Sequence, residues 1–455
     1  MNEGPAGSAV LLAELRGLYA ERMDPSTLER MRRLLAALDH PEERLPPVIH
    51  VAGTNGKGSV VAFLRAVLEA GGRRVHSYQS PPLQRIAECI GLAGAEISDA
   101  YFADVLGRVL AANAGAPLTS FEGETAAALL AFAETPADLV LLETGLGGRT
   151  DATNVVAQPL LTVLTPIDID HAEFLGPALT DIAAHKAGIL KRGSLCVVGR
   201  QHVEALDRIR DIAARIGAPL FEHGQDWDAY EQHGRLIYQD ESGLSDLPPP
   251  ALHGRHQVDN AGLAVAAALK LGALRPADAA IARGLTQVRW PGRLQRLDTH
   301  GLAAVLPPGS ELWVDGGHNA AAATVVAQAM AELEERSPKS LHLVVGMLKS
   351  KRPEAYLKPF AGLARSVTGI VPPDVTRAYA PPYRAAEIAD VAMKLGVYAR
   401  PANNLEDGLA AIAVRANAKP VRVLVCGSLH LAGSTLIADA AAVAASKRTG
   451  RAGGG

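Results

Sequence analysis

Val48-Ile49-His50-Val51-Ala52-Gly53-Thr54-Asn55-Gly56-Lys57-Gly58-Ser59 is the stretch on which the fold turns. It reads as a short buried strand, a glycine-rich turn and the start of a helix that continues through Val60-Val61-Ala62-Phe63-Leu64. A turn of this kind aims backbone N–H groups and a helix N-terminus into one small space, which suits a phosphate chain. Lys57 would reach the outer phosphates, and the Ser59 hydroxyl is placed to ligate Mg²⁺. The strict P-loop pattern wants Ser or Thr directly after Gly-Lys, whereas Gly58 intervenes here and Val51 stands where the first Gly belongs. On these residues alone the stretch is either a variant phosphate loop or a tight turn that needs positive φ.

Working outward, Arg74 to Tyr78 reads as a strand, and a loop with a helix through Leu106 and Val109 follows it. Helix from Glu124 to Glu134 leads into Leu139-Val140-Leu141-Leu142-Glu143, an apolar run ending in a carboxylate before Thr144-Gly145-Leu146-Gly147-Gly148. That carboxylate would emerge at the carboxyl end of a parallel sheet, where open α/β sheets bind ligands. Leu160 to Thr165 and Leu195 to Val198 are further strands, so strand and helix alternate as in a doubly wound α/β sheet. N-terminal to the loop, Leu11 to Leu38 shows helical periodicity broken at Pro25, with Asp24 or Ser26 as N-cap of the second helix. Glu222 to Pro250 is more polar and reads as a small antiparallel excursion, after which Ala261 to Leu271 is helix. The pattern pauses at Trp290-Pro291-Gly292-Arg293, and a second α/β unit follows, with strands at 311–314, 341–345, 367–370 and 421–425. The expected division is residues 1–294, residues 295–445 and a disordered tail, 446–455.

With 455 residues, two or three domains are expected. Lys and Arg number 45 against 48 Asp and Glu, and the absence of a basic stripe argues against nucleic acid as a partner. Cys89, Cys196 and Cys426 are far apart and fit no metal spacing, so they read as buried thiols in a reducing compartment. The N-terminus lacks an apolar h-region, and no apolar run approaches the roughly 18 residues of a membrane span. The expectation is a cytoplasmic protein with no membrane partner.

Each chemical signal is ambiguous alone. Glu143 is either a metal ligand or a partner for the next helix terminus; His171 in Asp170-His171 is either a ligand or a structural histidine. Lys186 lies in a short helix from Asp181 to Leu190, where a lysine is ordinarily a solvated charge. Their conjunction is stronger, because Ser59, Glu143 and His171 each follow a strand of one sheet. A hydroxyl, a carboxylate and an imidazole suit Mg²⁺ or Mn²⁺ bridging phosphates.

The motifs as a set resemble the folylpolyglutamate synthase/dihydrofolate synthase family of the Mur ligase superfamily. They are the His50–Ser59 loop, Glu143 to Arg149, Asp151-Ala152-Thr153-Asn154, Asp170-His171, His185-Lys186-Ala187-Gly188-Ile189, Gly254 to Asn260, Pro291-Gly292-Arg293, Asp315-Gly316-Gly317-His318-Asn319, and Val345 to Lys349. The resemblance runs from about Met23 to Gly433, and the displaced Ser59 is normal for that family. It implies a two-domain Mur-ligase-like architecture, a P-loop doubly wound N-terminal domain plus a smaller Rossmann-like α/β C-terminal domain. It also implies an ATP-dependent amide ligase that forms an acyl phosphate on a pterin or folate carboxylate and then joins L-glutamate to it.

In that picture Gly53, Thr54, Asn55, Gly56, Lys57, Gly58 and Ser59 cradle the phosphates. Ser59 and Glu143 hold one Mg²⁺, Glu143 and His171 a second, and Ser80 is a further hydroxyl in the metal shell. Lys186 matches a lysine that is carbamylated in many Mur-type ligases. Asn260, Arg293 and Asp315 would contact ATP, with His318 near the same cleft. The pterin side would comprise Thr27, Leu28, Glu29, Phe121, Glu122 and Asp151 with Thr153 and Asn154. Two positions depart from the family pattern: Pro82 stands where a His is usual and Cys89 where an Arg is usual, near the expected substrate mouth. The enzyme is expected to act as a monomer. Two other readings remain on these motifs, a Mur-type ligase with another carboxylate acceptor and a catalytically impaired ATP-binding homologue.

Overall fold

The computed structural model describes residues 7–18, 27–373 and 380–452. The expected break at Pro25 and the N-caps Asp24 and Ser26 lie outside the described residues. The chain divides into two compact units, Met1–Ala251 with Gln257–Arg289, and Leu252–His256 with Trp290–Gly455.

The first unit is built on an eight-stranded sheet. Its strands are β1 (Val48–Ala52), β2 (Val75–Tyr78), β3 (Ile90–Leu92), β4 (Ala95–Glu96), β5 (Leu139–Glu143), β6 (Leu161–Leu164), β7 (Leu195–Val198) and β8 (Leu220–Glu222). The order is β4-β3-β2-β5-β1-β6-β7-β8, parallel except for the β3 and β4 edge. The central strands are buried along their whole length because helices cover both faces, which explains their unbroken apolar runs. The helices are α1 (Ser8–Gly17), α2 (Glu29–Ala37), α3 (Lys57–Ala70), α4 (Asp99–Asn113), α5 (Ser120–Glu134), α6 (Ala172–Leu175), α7 (Leu179–Lys186), α8 (Val203–Ile216), α9 (Arg255–Leu269) and α10 (Asp278–Gln287). One apolar cluster joins Val48, Tyr78, Val140 and Leu142 to α1, α2, α4 and α5, and another joins Leu164, Cys196 and Val198 to α7 and α8.

Glu222 to Pro250 forms the expected excursion, a three-stranded antiparallel sheet of β9 (Trp227–Gln232), β10 (Arg235–Asp240) and β11 (Gly243–Leu247). The β3–β4 hairpin was not expected between β2 and α4, since two strands of three and two residues carry no readable alternation. Helix α5 starts earlier than its apolar pattern suggests, because Thr119 and Glu122 form a reciprocal capping box.

The second unit carries a six-stranded sheet in the order β12-β13-β17-β14-β15-β16. The strands are β12 (Gln295–Arg296), β13 (Glu311–Val314), β14 (Ser340–Val345), β15 (Ala364–Gly369), β16 (Ala399–Pro401) and β17 (Val421–Cys426). Only β12 runs antiparallel to its neighbour, and the short edges β12 and β16 were not anticipated. Helices α11 (Ala320–Arg336), α12 (Pro353–Leu357), α13 (Ala385–Lys394), α14 (Leu405–Ala416) and α15 (Leu429–Ala452) complete it. At its base Glu311 accepts hydrogen bonds from buried Arg422 (2.8 Å), from Lys339 (2.8 Å) and from Trp313 Nε1 (3.1 Å). Those donors outweigh the cost of burying the Glu311 carboxyl and hold its pKa down at about 2.

Helix α15 departs from expectation at its end. It continues through residues 446–452, which the sequence places in a disordered tail, because the preceding alanine-rich turns propagate helix. It is also, by length and composition, apolar enough to cross a membrane, with a mean hydropathy of 1.3 over Leu429–Lys447. Much of that value comes from alanine. Leu431, Ala432 and Thr435 are buried in the second unit and Asp439 accepts the Leu302 N–H at 2.8 Å, with 33 % of that window buried.

Candidate active site

Strand β1 lies between β5 and β6, so the chain leaves it at the point where strand order reverses, and the Gly53–Ser59 loop emerges there. Register puts Val51 opposite Glu143 and Ala52 opposite Leu164. Gly53 sits at φ +151°, and a Cβ there would overlap the Thr165 hydroxyl; Gly56 sits at φ +86°, with the Asn260 side chain where its Cβ would stand. These two positions require glycine. Asn260 is thereby placed against the loop, and its Nδ2 donates to Gln257 Oε1 at 3.0 Å.

The loop amides divide into two groups. Thr54 and Asn55 N–H both donate to Pro166 O, at 3.0 and 3.3 Å, and the Thr54 hydroxyl donates to Asp168 O at 2.9 Å. These bonds fasten the loop to the turn after β6, so the cradle expected of every loop amide does not include those two. The amides of Lys57, Gly58 and Ser59 belong to the first turn of α3, whose N-cap Gly56 provides no side-chain acceptor. An uncapped helix N-terminus leaves its first N–H groups for an anion. Ser59 is buried in this turn, and Gln79 from the end of β2 donates to Gly58 O at 3.2 Å.

Two lysines converge on one carbonyl. Lys57 Nζ donates to Gly53 O (3.0 Å) and Thr54 O (3.2 Å), and Lys186 Nζ donates to the same Gly53 O at 2.7 Å. Burial, reinforced by the nearby Lys57 charge, pushes Lys186 well below the usual lysine range, with Asp170 and Asp151 opposing. The neutral amine is therefore far more accessible than on a surface lysine.

Lys186 is held in place by the 143–149 loop. Arg149 N–H donates to His185 O at 2.8 Å, and a Cβ on Gly148 would lie 2.8 Å from that carbonyl and 2.9 Å from Lys186 O. The loop is fastened from behind by residues assigned to substrate in the sequence reading. Asp151 accepts the Leu146 N–H at 2.7 Å and the Thr153 N–H at 3.0 Å, while Thr153 Oγ1 lies 2.8 Å from His50 Nε2. Asn154 donates to Arg149 O and Gly188 O, at 3.0 and 3.1 Å, and accepts from Lys191 at 2.9 Å. Asp151, Thr153 and Asn154 are all buried, so their polar atoms serve the loop's shape.

Glu143 ends β5 and is 4 % exposed. Ser80 follows β2 at the same sheet edge, where its buried hydroxyl has no hydrogen-bond partner among the described residues. His171 is the N-cap of α6 at φ +52°, an uncommon conformation for a non-glycine residue, with Nε2 3.9 Å from Asp170 Oδ2. The donor set along this edge is Ser59, Ser80 and Glu143, with His171 seven residues beyond the end of β6. A buried hydroxyl after β2 and a carboxylate ending the neighbouring strand β5 are the donor types a hard divalent cation takes. The residues fit the expected metal.

Of the other expected contacts, Phe121 packs on Gly145 and stacks on Tyr78 at 6.1 Å between centroids, so it does reach the 143–149 loop. Glu122 is committed to the capping box and to an ion pair with Arg30 (2.9 Å). Leu28 is buried, Thr27 Oγ1 accepts the Glu29 N–H at 3.1 Å, and Glu29 is exposed at the start of α2. Cys89 is buried in the apolar cluster with Tyr78 and Ile86, so the missing arginine does not leave a gap at a solvent-facing mouth. Glu88 instead fastens Gln84 N–H (2.7 Å), which shapes the half-buried Pro82 loop.

In the second unit, Asp315 accepts from Leu294 N–H (2.9 Å) and Gly317 N–H (2.7 Å), and Arg293 lies against Gly316. His318 Nδ1 is 3.1 Å from Gly316 O. These three residues thus gather at the carboxyl end of β13. Half-buried His256 joins them unpredicted: desolvation and Arg293 lower its pKa while Asp315 raises it.

A phosphate loop at a switch point, paired with a second α/β unit, defines a Mur-type ligase, and residues 51–268 match the Mur ligase middle domain. Residues 302–438 match the dihydrofolate synthetase C-terminal domain. The chain belongs to the dihydrofolate synthase/folylpolyglutamate synthase family. It is 36 % identical to the Bacillus subtilis dihydrofolate synthase/folylpolyglutamate synthase, over 75 % of this chain and 80 % of that protein. E. coli FolC in complex with DHPP and ADP superposes with a TM-score of 0.84 at 29 % identity, covering 97 % and 99 % of the two chains. The Yersinia pestis bifunctional enzyme complexed with AMPPNP and Mn ion gives 0.83 at 30 % identity, covering 96 % and 99 %.

Proposed function

We propose that this chain is an ATP-dependent acid–amino-acid ligase that joins L-glutamate to dihydropteroate and to reduced folates through an acyl phosphate. The observation that carries the reading is the meeting of Lys57 and Lys186 on the Gly53 carbonyl, at the sheet edge where Glu143 ends its strand. The nucleotides and metal named with the related structures agree with it.

The first step forms a bond between a substrate carboxylate oxygen and the γ-phosphorus of ATP, with ADP leaving. Positioning and charge neutralisation dominate such transfers. Lys57 exchanges its loop carbonyls for phosphate oxygens, and the first-turn N–H groups of α3 hold the same anion. In the second step the glutamate amine attacks the acyl carbon, and orthophosphate leaves as the amine loses a proton. A bound Mg²⁺ or Mn²⁺, held by Ser59, Glu143, Ser80 and His171, would supply charge neutralisation on the phosphates. The neutral Lys186 amine takes up CO₂ and releases a proton, giving an anionic carbamate where the uncharged amine stood near Gly53 O. Asn260, Arg293, Asp315 and His318 bind nucleotide. Thr27, Leu28, Glu29 and Phe121 border the pterin, with Glu122, Asp151, Thr153 and Asn154 holding the elements that shape its pocket. The protein acts as a cytoplasmic monomer without membrane or nucleic-acid partners.

Purified protein with ATP, Mg²⁺ and L-glutamate should release ADP only when dihydropteroate or tetrahydrofolate is added. ADP release that neither pterin increases would sink the folate reading.

A further inference from the structure

Arg400, Arg415 and Tyr398 surround a cavity of about 260 Å³ at the far edge of the second unit's sheet, with Ser366 and Thr368 also in its lining. Strand alternation explains why it exists. Val367 and Ala399 face the apolar core of the unit, which turns Ser366, Thr368, Tyr398 and Arg400 to the opposite face. Helix α14 packs on that face, where a Cβ on Gly408 would lie 3.3 Å from Thr368 Cγ2, and buries Ser366 and Thr368, while Tyr398, Arg400 and Arg415 stay exposed at the rim. A second cavity of about 540 Å³ shares Arg400 and is bounded by Pro401, Asn403 and Asp407. The residues Arg293, Asp315 and His318 belong to β13 and its flanks, with β17 and β14 between β13 and β15.

The chemistry of the lining is one-sided. The Arg415 guanidinium stacks on the Tyr398 ring at 3.9 Å, which uses its face and leaves its N–H edge for another partner. Among the described residues, Arg400 makes only a long bond to Pro401 O, at 3.5 Å. Among the described residues neither arginine pairs with a carboxylate; Asp407, in the adjoining cavity, already accepts from Asn403 at 2.9 Å. Beneath the cavity His342 Nδ1 lies 2.7 Å from buried Ser366 Oγ. Burial, then the fields of Arg415 and Arg365, hold His342 down to about 4, so the floor is neutral and the rim cationic.

We infer that this edge is a binding site for a small dianion, received by Arg400 and Arg415 over the Ser366 and Thr368 hydroxyls. Guanidinium edges match carboxylate and phosphate oxygens in pairs. The volume falls below the roughly 300 Å³ at which pockets begin to take drug-sized ligands, so the occupant is compact. Orthophosphate and short dicarboxylates share that chemistry.

The full chain, loaded with Mg²⁺ and AMPPNP, is titrated calorimetrically with orthophosphate, with succinate and with acetate, beside the R400Q/R415Q double variant. Saturable binding of orthophosphate or succinate, at least tenfold weaker for acetate and in the double variant, supports the site, and the dianion that binds names its class. Both arginines are exposed, so the variant should keep its melting temperature and its turnover. Absence of saturable dianion binding, or equal binding by the double variant, overturns the inference. The titration needs no turnover, and AMPPNP serves only to occupy the phosphate loop, so the comparison with the double variant stands whether or not the ligase reading holds.

Discussion

Lys186 shows how burial changes what a residue type can do. From sequence it is a helical lysine, and only the resemblance singled it out; the structure buries it against Gly53 O beside a second cation. Lys186→Ala is expected to be inactive and to regain part of its turnover with added short-chain carboxylates, whereas Lys186→Arg stays inactive because a guanidinium cannot accept CO₂. Full activity in Lys186→Ala would remove the carbamate. Glu143→Ala should lower kcat by at least about 100-fold, on the scale of lost electrostatic stabilisation, while the melting temperature shifts little. Near-normal turnover there would refute the metal assignment. Residues with a chemical type and a strand-end position were readable. His256 and the true bonds of Asp151 and Glu122 were not, because which partner a buried polar group finds depends on elements far away in the chain.

Among elements, the strand–loop–helix of β1 and α3 was the most readable, since two glycines and an apolar run specify it locally. Its precise use of amides was hidden, because Pro166, which takes two of them, lies 112 and 111 residues beyond Thr54 and Asn55 in the numbering. Gly53→Ala tests the element: a Cβ would overlap the Thr165 hydroxyl and force the loop off its turn. A cost of about 1–3 kcal/mol is expected, with ATP affinity falling more than thermal stability. Unchanged ATP binding would show that the loop does not hold nucleotide. The capping box at Thr119 and Glu122 carried a readable Thr-x-x-Glu signal that the apolar pattern downstream overshadowed. The two-residue strands β4 and β12 and the three-residue β3 and β16 are too short for a period to register; pairing with neighbours creates them.

At the scale of the molecule, buried titratable groups in both units predict acid sensitivity. Burial chiefly holds His50 at about 3 and His342 at about 4 in the fold, against 6.5 when exposed. Below pH 6.5 the unfolded chain binds protons that the fold refuses, so their contribution is complete above 6.5 and is lost as pH falls toward 3 and 4 respectively. Glu311 adds a loss between its ordinary 4.5 and about 2. Melting temperatures should therefore fall between roughly pH 7 and pH 4.5, and His342→Gln should flatten the fall, each group contributing up to about 1.4 kcal/mol per pH unit. A pH-independent melt in that range would contradict the burial of these histidines. The division into two units has another consequence, one for recombination. The backbone passes from one unit to the other after Ala251, after His256 and after Arg289. A crossover at 289/290 would strand residues 252–256, His256 included, with the wrong parent. Chimaeras between family members should keep their folds only when that pentapeptide travels with the C-terminal half, so the two units are inherited as a laced pair and not as interchangeable cassettes.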